Sequence, residues 1–227
     1  MTRTRYNAFN GATIMSLRNI IIMKAKNPLL LLGLIASANA AVYSPTGATY
    51  INSDAPDTTY SSGALVANTR ADTPPYDRIP LLTFDVSSYA FDFDSITLSL
   101  STGTSTATGF AFYYYDGAIT TSTTWNTAAT AGIVPSTADN TANGDLLLEV
   151  TGSYRPTSFT TYDFELTNLD PIANDSDGIF TIVVLDTNTG SNSALFNRSA
   201  SLTVVPEPTS MTLLGLGALA LVSRRKR

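Results

Sequence analysis

The chain has 227 residues, of which 44% are hydrophobic and 14% charged, a composition typical of one large or two small globular domains. It contains no cysteine and no histidine, which excludes disulfides, cysteine nucleophiles, Ser-His-Asp triads and Cys/His zinc sites. All 18 acidic residues lie between Ala41 and Glu207, where four arginines and no lysine oppose them. This segment has a formal charge of −14 and therefore no basic stripe for nucleic acid.

The N-terminal segment has the features of a secretory signal peptide. Two lysines precede an apolar run at 29–36, and Ala38 and Ala40 supply small residues after it. This order predicts cleavage by signal peptidase before Ala41. The run is much shorter than the roughly 20 residues of a spanning helix, which argues against a permanent anchor. Met23 would begin a compact signal, and we interpret the residues before it as a long leader or an over-extended reading frame.

The C-terminal segment has three parts in a fixed order. Pro206, Glu207 and Pro208 are followed by an apolar run at 211–222 and by a basic cluster at 224–227. A helix over the run would cover about 18 Å, against a hydrocarbon core of about 30 Å. Basic residues tend to stay in the cytoplasm. We therefore expect a short transmembrane helix that holds the chain at the inner membrane transiently, with the preceding residues exported.

Together these three parts resemble the PEP-CTERM sorting signal of Gram-negative bacteria, which an exosortase recognises and cleaves near the Pro-Glu-Pro element. The resemblance implies that Pro206, Glu207 and Pro208 form the recognition element. It further implies that signal peptidase, exosortase and the inner membrane are partners. The implied destination is the cell surface or the extracellular polysaccharide matrix.

The middle of the chain predicts one all-β domain at 41–205, between a leader at 1–40 and the sorting signal at 206–227. Short runs alternate apolar and polar residues with period two, which predicts half-buried strands, and glycine-containing turns such as the one at Thr102-Gly103 separate them. About ten strands around one core indicate a jelly-roll-like antiparallel β-sandwich. The segment 128–142 is the longest predicted loop. The predicted strands lie at 48–51, 64–68, 81–86, 96–100, 110–114, 146–150, 162–166, 180–184, 193–196 and 201–205.

The order of landmarks in this domain is similar to the DNRLRE-type carbohydrate-binding-module-like sandwich of exported bacterial proteins, although the hexapeptide that names the family has no match here. Some members of that family bind acidic polysaccharides. A domain with this negative charge would repel a polyanion unless cations bridge the two. The matching segments are Thr49-Tyr50-Ile51, Asp57, Tyr60-Ser61-Ser62, Leu81-Leu82-Thr83-Phe84-Asp85, Ile96-Thr97-Leu98-Ser99-Leu100, Thr124-Trp125-Asn126 and Leu195-Phe196-Asn197-Arg198.

Two loops are rich in oxygen ligands. One contains Asp175 and Asp177 before Gly178, and the other contains Asp139 and Asp145. Ca²⁺ prefers six to eight hard oxygen ligands, so these four aspartates are the candidate metal ligands. Aspartate before glycine is also an ordinary turn former, which is the alternative interpretation.

Aromatic side chains suggest a second candidate site. Tyr113 and Tyr115 fall on the strand face opposite Phe110, Phe112 and Tyr114, and exposed tyrosine rings can stack on sugars. Cross-strand packing is the alternative explanation for both rings.

Two further residues are expected to be structural. The single tryptophan, Trp125, is expected in the core, and Arg198 is expected to form an internal ion pair with an aspartate.

Two classes of function follow. The first is a non-enzymatic exported sandwich with a structural or polysaccharide-binding role. The alternative is a polysaccharide lyase or hydrolase that uses Asp, Glu, Tyr or Arg, since the domain has no histidine or lysine as a base. Glu149 and Glu165 are the domain's two glutamates, and we interpret them as solvated carboxylates rather than as a glycosidase pair.

Overall fold

A computed structural model describes residues 40–68, 78–89, 93–134, 144–154, 156–187 and 193–207. All of them belong to one compact unit, Ser37–Leu213. The predicted signal peptide with Met23 and Ala38, the C-terminal apolar run and the basic cluster lie outside the described residues. Within the described part of the chain, no helix is long and apolar enough to span a membrane.

The described residues form eleven strands and two short helices. Every predicted strand is present, and β1 is an additional one. The elements are β1 (Ala41–Tyr43), β2 (Gly47–Asn52), β3 (Leu65–Ala67), β4 (Arg78–Asp85), β5 (Phe93–Ser105), β6 (Gly109–Asp116), α1 (Trp125–Thr130), β7 (Asp145–Thr151), β8 (Thr160–Glu165), α2 (Asp170–Ala173), β9 (Ile179–Asp186), β10 (Ala194–Phe196) and β11 (Ser201–Pro206).

The strands form two sheets in which all neighbouring pairs are antiparallel. Sheet I has the order β1, β11, β5, β10, β3, and β8 pairs with β5. Sheet II has the order β2, β4, β9, β6, β7. The chain passes from one sheet to the other at most of its connections. The all-β, jelly-roll-like antiparallel sandwich predicted from the sequence is thus confirmed.

The main core lies between the two sheets. Sheet I contributes Ile96, Leu98 and Leu100 from β5, which alternate with partly exposed neighbours as their period of two predicts. Aromatic rings join the layers, with centroid distances of 4.9 Å for Phe112 and Phe164 and 5.2 Å for Phe110 and Phe196. Each fully buried side chain of this size contributes about 1.5–3 kcal/mol to stability, so these four rings are a substantial part of the packing between the layers.

A second apolar cluster covers the outer face of sheet II. The alternation in β9 predicted a half-buried strand, but Thr181, Val183 and Leu185 are buried as well as their inward-facing neighbours. The prediction was wrong for this strand because the segment 117–134, which includes α1, packs over the outer face with Ile119, Ala128, Ile133 and Val134. A pattern within one strand carries no information about a cover that comes from a distant segment.

Helix α1 lies partly in the segment predicted as a long loop. Thr124 caps it: its side chain accepts a hydrogen bond from the Thr127 main-chain N–H, and the Thr127 side chain accepts one from the Thr124 N–H. Such reciprocal capping stabilises helix ends. Threonine in place of the usual glutamate at the third helical position concealed the capping box in the sequence.

Strand β7 contains a bulge that the predicted alternation missed. Phe112 pairs with Leu148 and Tyr113 with Leu146, so Leu147 has no opposite residue. Leu147 is fully buried, whereas Leu146 is 39% exposed. An extra residue in one strand reverses the inward phase on one side of it, which explains why Leu148 and Val150 face the core as predicted and Leu146 does not.

Gly103 was predicted to lie in a turn, but it lies inside β5. A Cβ at this position would lie 2.8 Å from the Phe159 ring. The pairing of β5 with β10 is irregular at this point. Glycine here allows the close approach of the exposed Phe159 ring and does not mark a reversal of the chain.

Candidate functional site

Three carboxylates meet at the end of sheet II where β6 ends and β9 begins. Asp116 is the last residue of β6, and Asp175 and Asp177 lie in the connection from α2 to β9. Their nearest carboxylate oxygens lie within 4.8 Å of one another. The sequence singled out Asp175 and Asp177 but not Asp116, because the pairing of β6 with β9 that brings it there is not local.

The three carboxylates differ in their surroundings. Asp175 is 6% exposed, whereas Asp116 and Asp177 are on the surface. The Tyr114 hydroxyl donates to Asp175 Oδ2 at 2.6 Å. Asp175 Oδ1 accepts hydrogen bonds from the N–H groups of Asp177 at 3.0 Å and Gly178 at 2.7 Å. Burial and then the Asp175 hydrogen bond and charge raise the pKa of Tyr114 far above its ordinary value, so the phenol remains a donor.

This arrangement closes the turn into β9. Both oxygens of Asp175 already accept protein donors, which supports the turn-forming role. The three carboxylates also have the oxygen chemistry that Ca²⁺ prefers, but with one oxygen each they supply three of the six to eight ligands it takes. Asp145 is exposed at the start of β7 and is not part of this group, and Asp139 lies outside the described residues. Calcium binding by the four predicted aspartates therefore stays a prediction.

The tyrosine face is largely occupied by the protein itself. Tyr113 and Tyr115 are half-buried and pack, with Trp125, against the second apolar cluster. The Tyr115 hydroxyl donates to the Ala131 carbonyl at 2.9 Å. Burial, followed by the charge of Glu149, raises the pKa of Tyr113. The packing explanation thus accounts for much of both rings, and sugar stacking on their accessible edges stays a prediction.

Arg198 donates to main-chain carbonyls, and among the described residues it forms no ion pair with the expected aspartate. Its guanidinium donates to the carbonyls of Gly63 at 2.8 Å, Tyr60 at 2.6 Å and Ser62 at 3.3 Å, and to that of Ala48. Burial lowers its pKa. Three of these carbonyls belong to residues 53–64, which we call the clasp loop. Main-chain acceptors leave no signal in a sequence, so sequence analysis could not identify these partners.

Further contacts fasten the clasp loop. The Tyr60 ring stacks on Tyr50 with centroids 4.2 Å apart, and Asn52 donates to the Tyr60 hydroxyl at 3.1 Å. Asn126 in α1 donates to Asp57 at 2.7 Å. Several residues that carry the resemblance to the carbohydrate-binding-module-like family therefore lie together around this loop, where they have structural contacts.

The two glutamates lie in different sheets. Glu149 is on β7 in sheet II and Glu165 is on β8 in sheet I, and both are exposed. This exposure agrees with their interpretation as solvated carboxylates.

Strand β11 leads directly into the predicted sorting element. Pro206 is the last residue of β11 and lies opposite Phe93, and Glu207 after it is exposed. Pro208 lies outside the described residues. Near the other predicted processing point, Ala40 is exposed and Ala41 begins β1, where it pairs with Val204.

A family profile for the PEP-CTERM protein-sorting motif matches residues 204–227, so the resemblance noted in the sequence is confirmed. The motif implies export, processing by an exosortase and transient membrane anchoring through the C-terminus. A search of curated proteins finds no match. The carbohydrate-binding-module resemblance receives no independent support and stays a prediction.

Among solved structures, the chain is similar to the K1 cleaved adhesin domain of Lys-gingipain from Porphyromonas gingivalis W83, with 11% identity, a TM-score of 0.33 and coverage of 74% of this chain and 99% of that one. It is also similar to the Stig cyclase Fisc from Fischerella sp. TAU, with 11% identity, a TM-score of 0.31 and coverage of 72% and 89%. A cyclase from the same organism matches with 11% identity, a TM-score of 0.33 and coverage of 75% and 90%. Similarities this low carry no argument about activity.

The fold and the motif together define an exported, exosortase-sorted protein with a β-sandwich.

Proposed function

We propose that this chain delivers a non-catalytic β-sandwich to the cell surface or the extracellular polysaccharide matrix, where the sandwich is a structural component. The observation that carries the proposal is the continuity of β11 with the sorting motif: the match begins at residue 204, within the strand. The sandwich is therefore the part of the chain that the signal directs. We also propose the domain boundaries as a leader at 1–40, a sandwich at 41–205 and a sorting signal at 206–227.

Internal contacts support the structural role. Side chains that the sequence singled out form hydrogen bonds within the protein: Asp175 with Tyr114, Tyr115 with Ala131 and Arg198 with the clasp loop. Residues 41–205 contain no histidine, cysteine or lysine, so a general base or nucleophile would have to come from residues such as Asp, Glu, Tyr, Ser or Thr. A structural sandwich needs neither.

The sorting step is tested in two host strains that differ in exosortase alone. The full chain is produced in both, and the inner-membrane, outer-membrane and released fractions are probed with an antibody to the sandwich. We expect a surface or released product in the competent strain and retention at the inner membrane in the other. A Glu207→Ala variant tests the motif, and a Glu165→Ala variant is the matched control. Equal distribution in the two strains would contradict sorting by exosortase.

Contact with polysaccharide is the second candidate function, favoured by the partly accessible rings of Tyr113 and Tyr115 beside the second apolar cluster. Aromatic rings offer sugars an apolar face. The formal charge of −14 favours a neutral polymer, or an acidic one bridged by cations. For such a bridge we propose four aspartates as Ca²⁺ ligands: Asp175 and Asp177 in one loop, and Asp139 and Asp145 in the other.

A glycan array tests this candidate. The processed protein is applied with millimolar Ca²⁺ and again with chelator. Saturable binding that Tyr113→Ser weakens supports the tyrosine face, and loss of binding in chelator supports a bridging cation. No binding under either condition would exclude polysaccharide contact and leave the structural role as the one proposed function.

The alternative of a polysaccharide lyase or hydrolase predicts a different result from the same material. Incubation with the polymers of the array would then release reducing ends or unsaturated products. A Glu149→Gln variant would lower the rate by about a hundredfold or more if that carboxylate were a general acid or base. We expect no product from either protein.

A further inference from the structure

The last strand of the sandwich limits where the sorting cut can fall. We infer that the bond cut during sorting lies C-terminal to Pro206, so that all of β11 stays with the exported sandwich. The inference rests on the proposed processing by an exosortase, and it adds a limit that the motif itself does not give, because the match begins at residue 204, two residues inside this limit.

Strand β11 is an interior strand of sheet I. It pairs with β5 from Ser201 to Pro206 and with β1 through Leu202, Thr203 and Val204. Leu202 is fully buried and Val204 is 1% exposed. The main chain of this segment is thus paired on both sides, and its inward side chains belong to the core.

A processing enzyme needs free main chain. Enzymes that act on peptides commonly bind them as extended strands through main-chain hydrogen bonds. The groups that such binding would use in Leu202–Val204 already pair with β1 and β5. A cut in this segment would require β11 to leave the sheet. Each buried valine or leucine would then lose the stabilising free energy of its burial, about 1.5–3 kcal/mol.

Pro206 marks the point where this protection ends. Proline has no main-chain N–H and ends a ladder of hydrogen bonds, and Pro206 is the last paired residue of β11. Glu207 is exposed. The first peptide bond beyond the sheet is therefore the one between Pro206 and Glu207.

A cut after the strand also preserves β1. Ala41, the predicted mature N-terminus, pairs with Val204. A cut before Thr203 would leave two of the three residues of β1 without their partners. A cut after Pro206 leaves the pair intact, with both ends of the processed chain at the same end of sheet I.

The chemical step is acyl transfer from the cut peptide bond to water or to an amine. The C–N bond of the cut peptide breaks, and the residue after it leaves with the tail as a free amine. The carbonyl carbon on the sandwich side bonds to water, giving a carboxylate, or to an amine, giving a new amide. Neither route needs an oxidant or reductant.

The first test is the C-terminus of the processed protein. Protein recovered from the surface of the exosortase-competent strain is analysed by intact mass and C-terminal peptide mapping. We expect a sandwich that ends at Pro206 or later. An end at Val205 or earlier would overturn the inference while leaving exosortase processing in place.

The second test does not depend on the exosortase. The full chain, purified in detergent, is digested briefly with a protease of broad specificity. We expect cleavage beyond Pro206 to be at least about tenfold faster than cleavage within 201–205, because local opening of paired strands limits proteolysis. Comparable rates would overturn the inference. An uncut chain in the competent strain would contradict the proposed function, and this digestion would still show whether β11 is protected up to Pro206.

Two variants in β11 test whether opening of this strand controls the digestion. Val204→Asp places a charge in the core and is expected to open the strand and to raise cleavage within 201–205. Thr203→Asp changes the neighbouring partly exposed side chain and is the matched control, expected to digest like the natural chain. Where Val204→Asp does not fold, the comparison of the natural chain with Thr203→Asp retains the test.

Discussion

Gly178 shows how one residue without a side chain shapes the acidic turn. Its φ of +75° is in the left-handed region, and a Cβ there would lie 2.7 Å from the Ser87 main chain. Its carbonyl accepts a hydrogen bond from the Val86 N–H at 2.8 Å. The position thus requires glycine for two reasons, backbone conformation and the contact between two connections.

Replacing Gly178 separates these reasons. In Gly178→Ala the added methyl group would clash with the Ser87 main chain, and the alanine would also have to adopt a left-handed conformation. We therefore expect the unfolding free energy to fall by about 2–4 kcal/mol. Gly132→Ala is the matched control: Gly132 has a φ of +77°, and a Cβ there would have nothing within 4 Å of it, so we expect a loss of about 1–2 kcal/mol. Denaturant unfolding measures both. Equal losses would contradict the close contact with Ser87.

The hydrogen bond between Tyr114 and Asp175 supports a second prediction at this scale. Tyr114→Phe leaves the buried Asp175 Oδ2 without its donor, and we expect a loss of about 1–3 kcal/mol of unfolding free energy. Tyr115→Phe removes a hydroxyl that donates to a carbonyl on the surface side, and the expected loss is about 0.5–1 kcal/mol. A smaller loss for Tyr114→Phe than for Tyr115→Phe in the same unfolding series would show that the buried bond is not stabilising.

Single residues were predictable where their chemistry is local. Asp177 before Gly178 indicated a turn from two adjacent positions, and the turn is present. The contact of Asp116 with this turn depends on the register of β6 and β9, and the partners of Arg198 are main-chain atoms. Neither kind of information is contained in the identity of neighbouring residues.

At the scale of elements, Arg198 joins the clasp loop to the end of β10. Lysine carries the same charge but cannot direct donors to four carbonyls at once. We therefore expect Arg198→Lys to lower the unfolding free energy by about 2–4 kcal/mol, with new proteolytic cuts in residues 53–64. Arg78→Lys, at the start of β4, is the matched control and is expected to change stability by less than about 1 kcal/mol. Full retention of stability in Arg198→Lys would contradict the role of Arg198 in holding the clasp loop.

Elements with regular alternation were predicted well, and the misses share a cause. Strand β8 has Tyr162 and Phe164 inward and polar residues between them, as its sequence indicates. Strand β7 deviates because a bulge inserts Leu147, and β9 is buried on both faces because α1 and its neighbours cover it. Each miss depends on a partner segment distant in sequence, which alternation within one strand does not reveal.

At the scale of the whole molecule, stability is expected to have a broad pH plateau. The chain has no histidine, so no side chain has an ordinary pKa between about pH 5 and 8. Burial raises the pKa values of Tyr50, Tyr89, Tyr113 and Tyr114 above 10.0. Above pH 10 the unfolded state loses these protons before the folded state does, so the unfolding free energy falls as the pH rises.

Denaturant unfolding between about pH 5 and pH 11 measures this dependence. We expect the tyrosine contribution to be complete below pH 10 and to be lost above it, and Tyr114→Phe to make the alkaline loss shallower. A steep loss of stability between about pH 6 and 8 would contradict the expectation.

We propose that exosortase processing delivers this sandwich outside the inner membrane, and the intact mass of the recovered sandwich is the decisive measurement. The full chain is produced in the exosortase-competent strain and in the deficient strain, and the sandwich is recovered from each. We expect the competent strain alone to yield a product that lacks the C-terminal basic cluster and keeps β11. Recovery of the same uncut mass from both strains would contradict it.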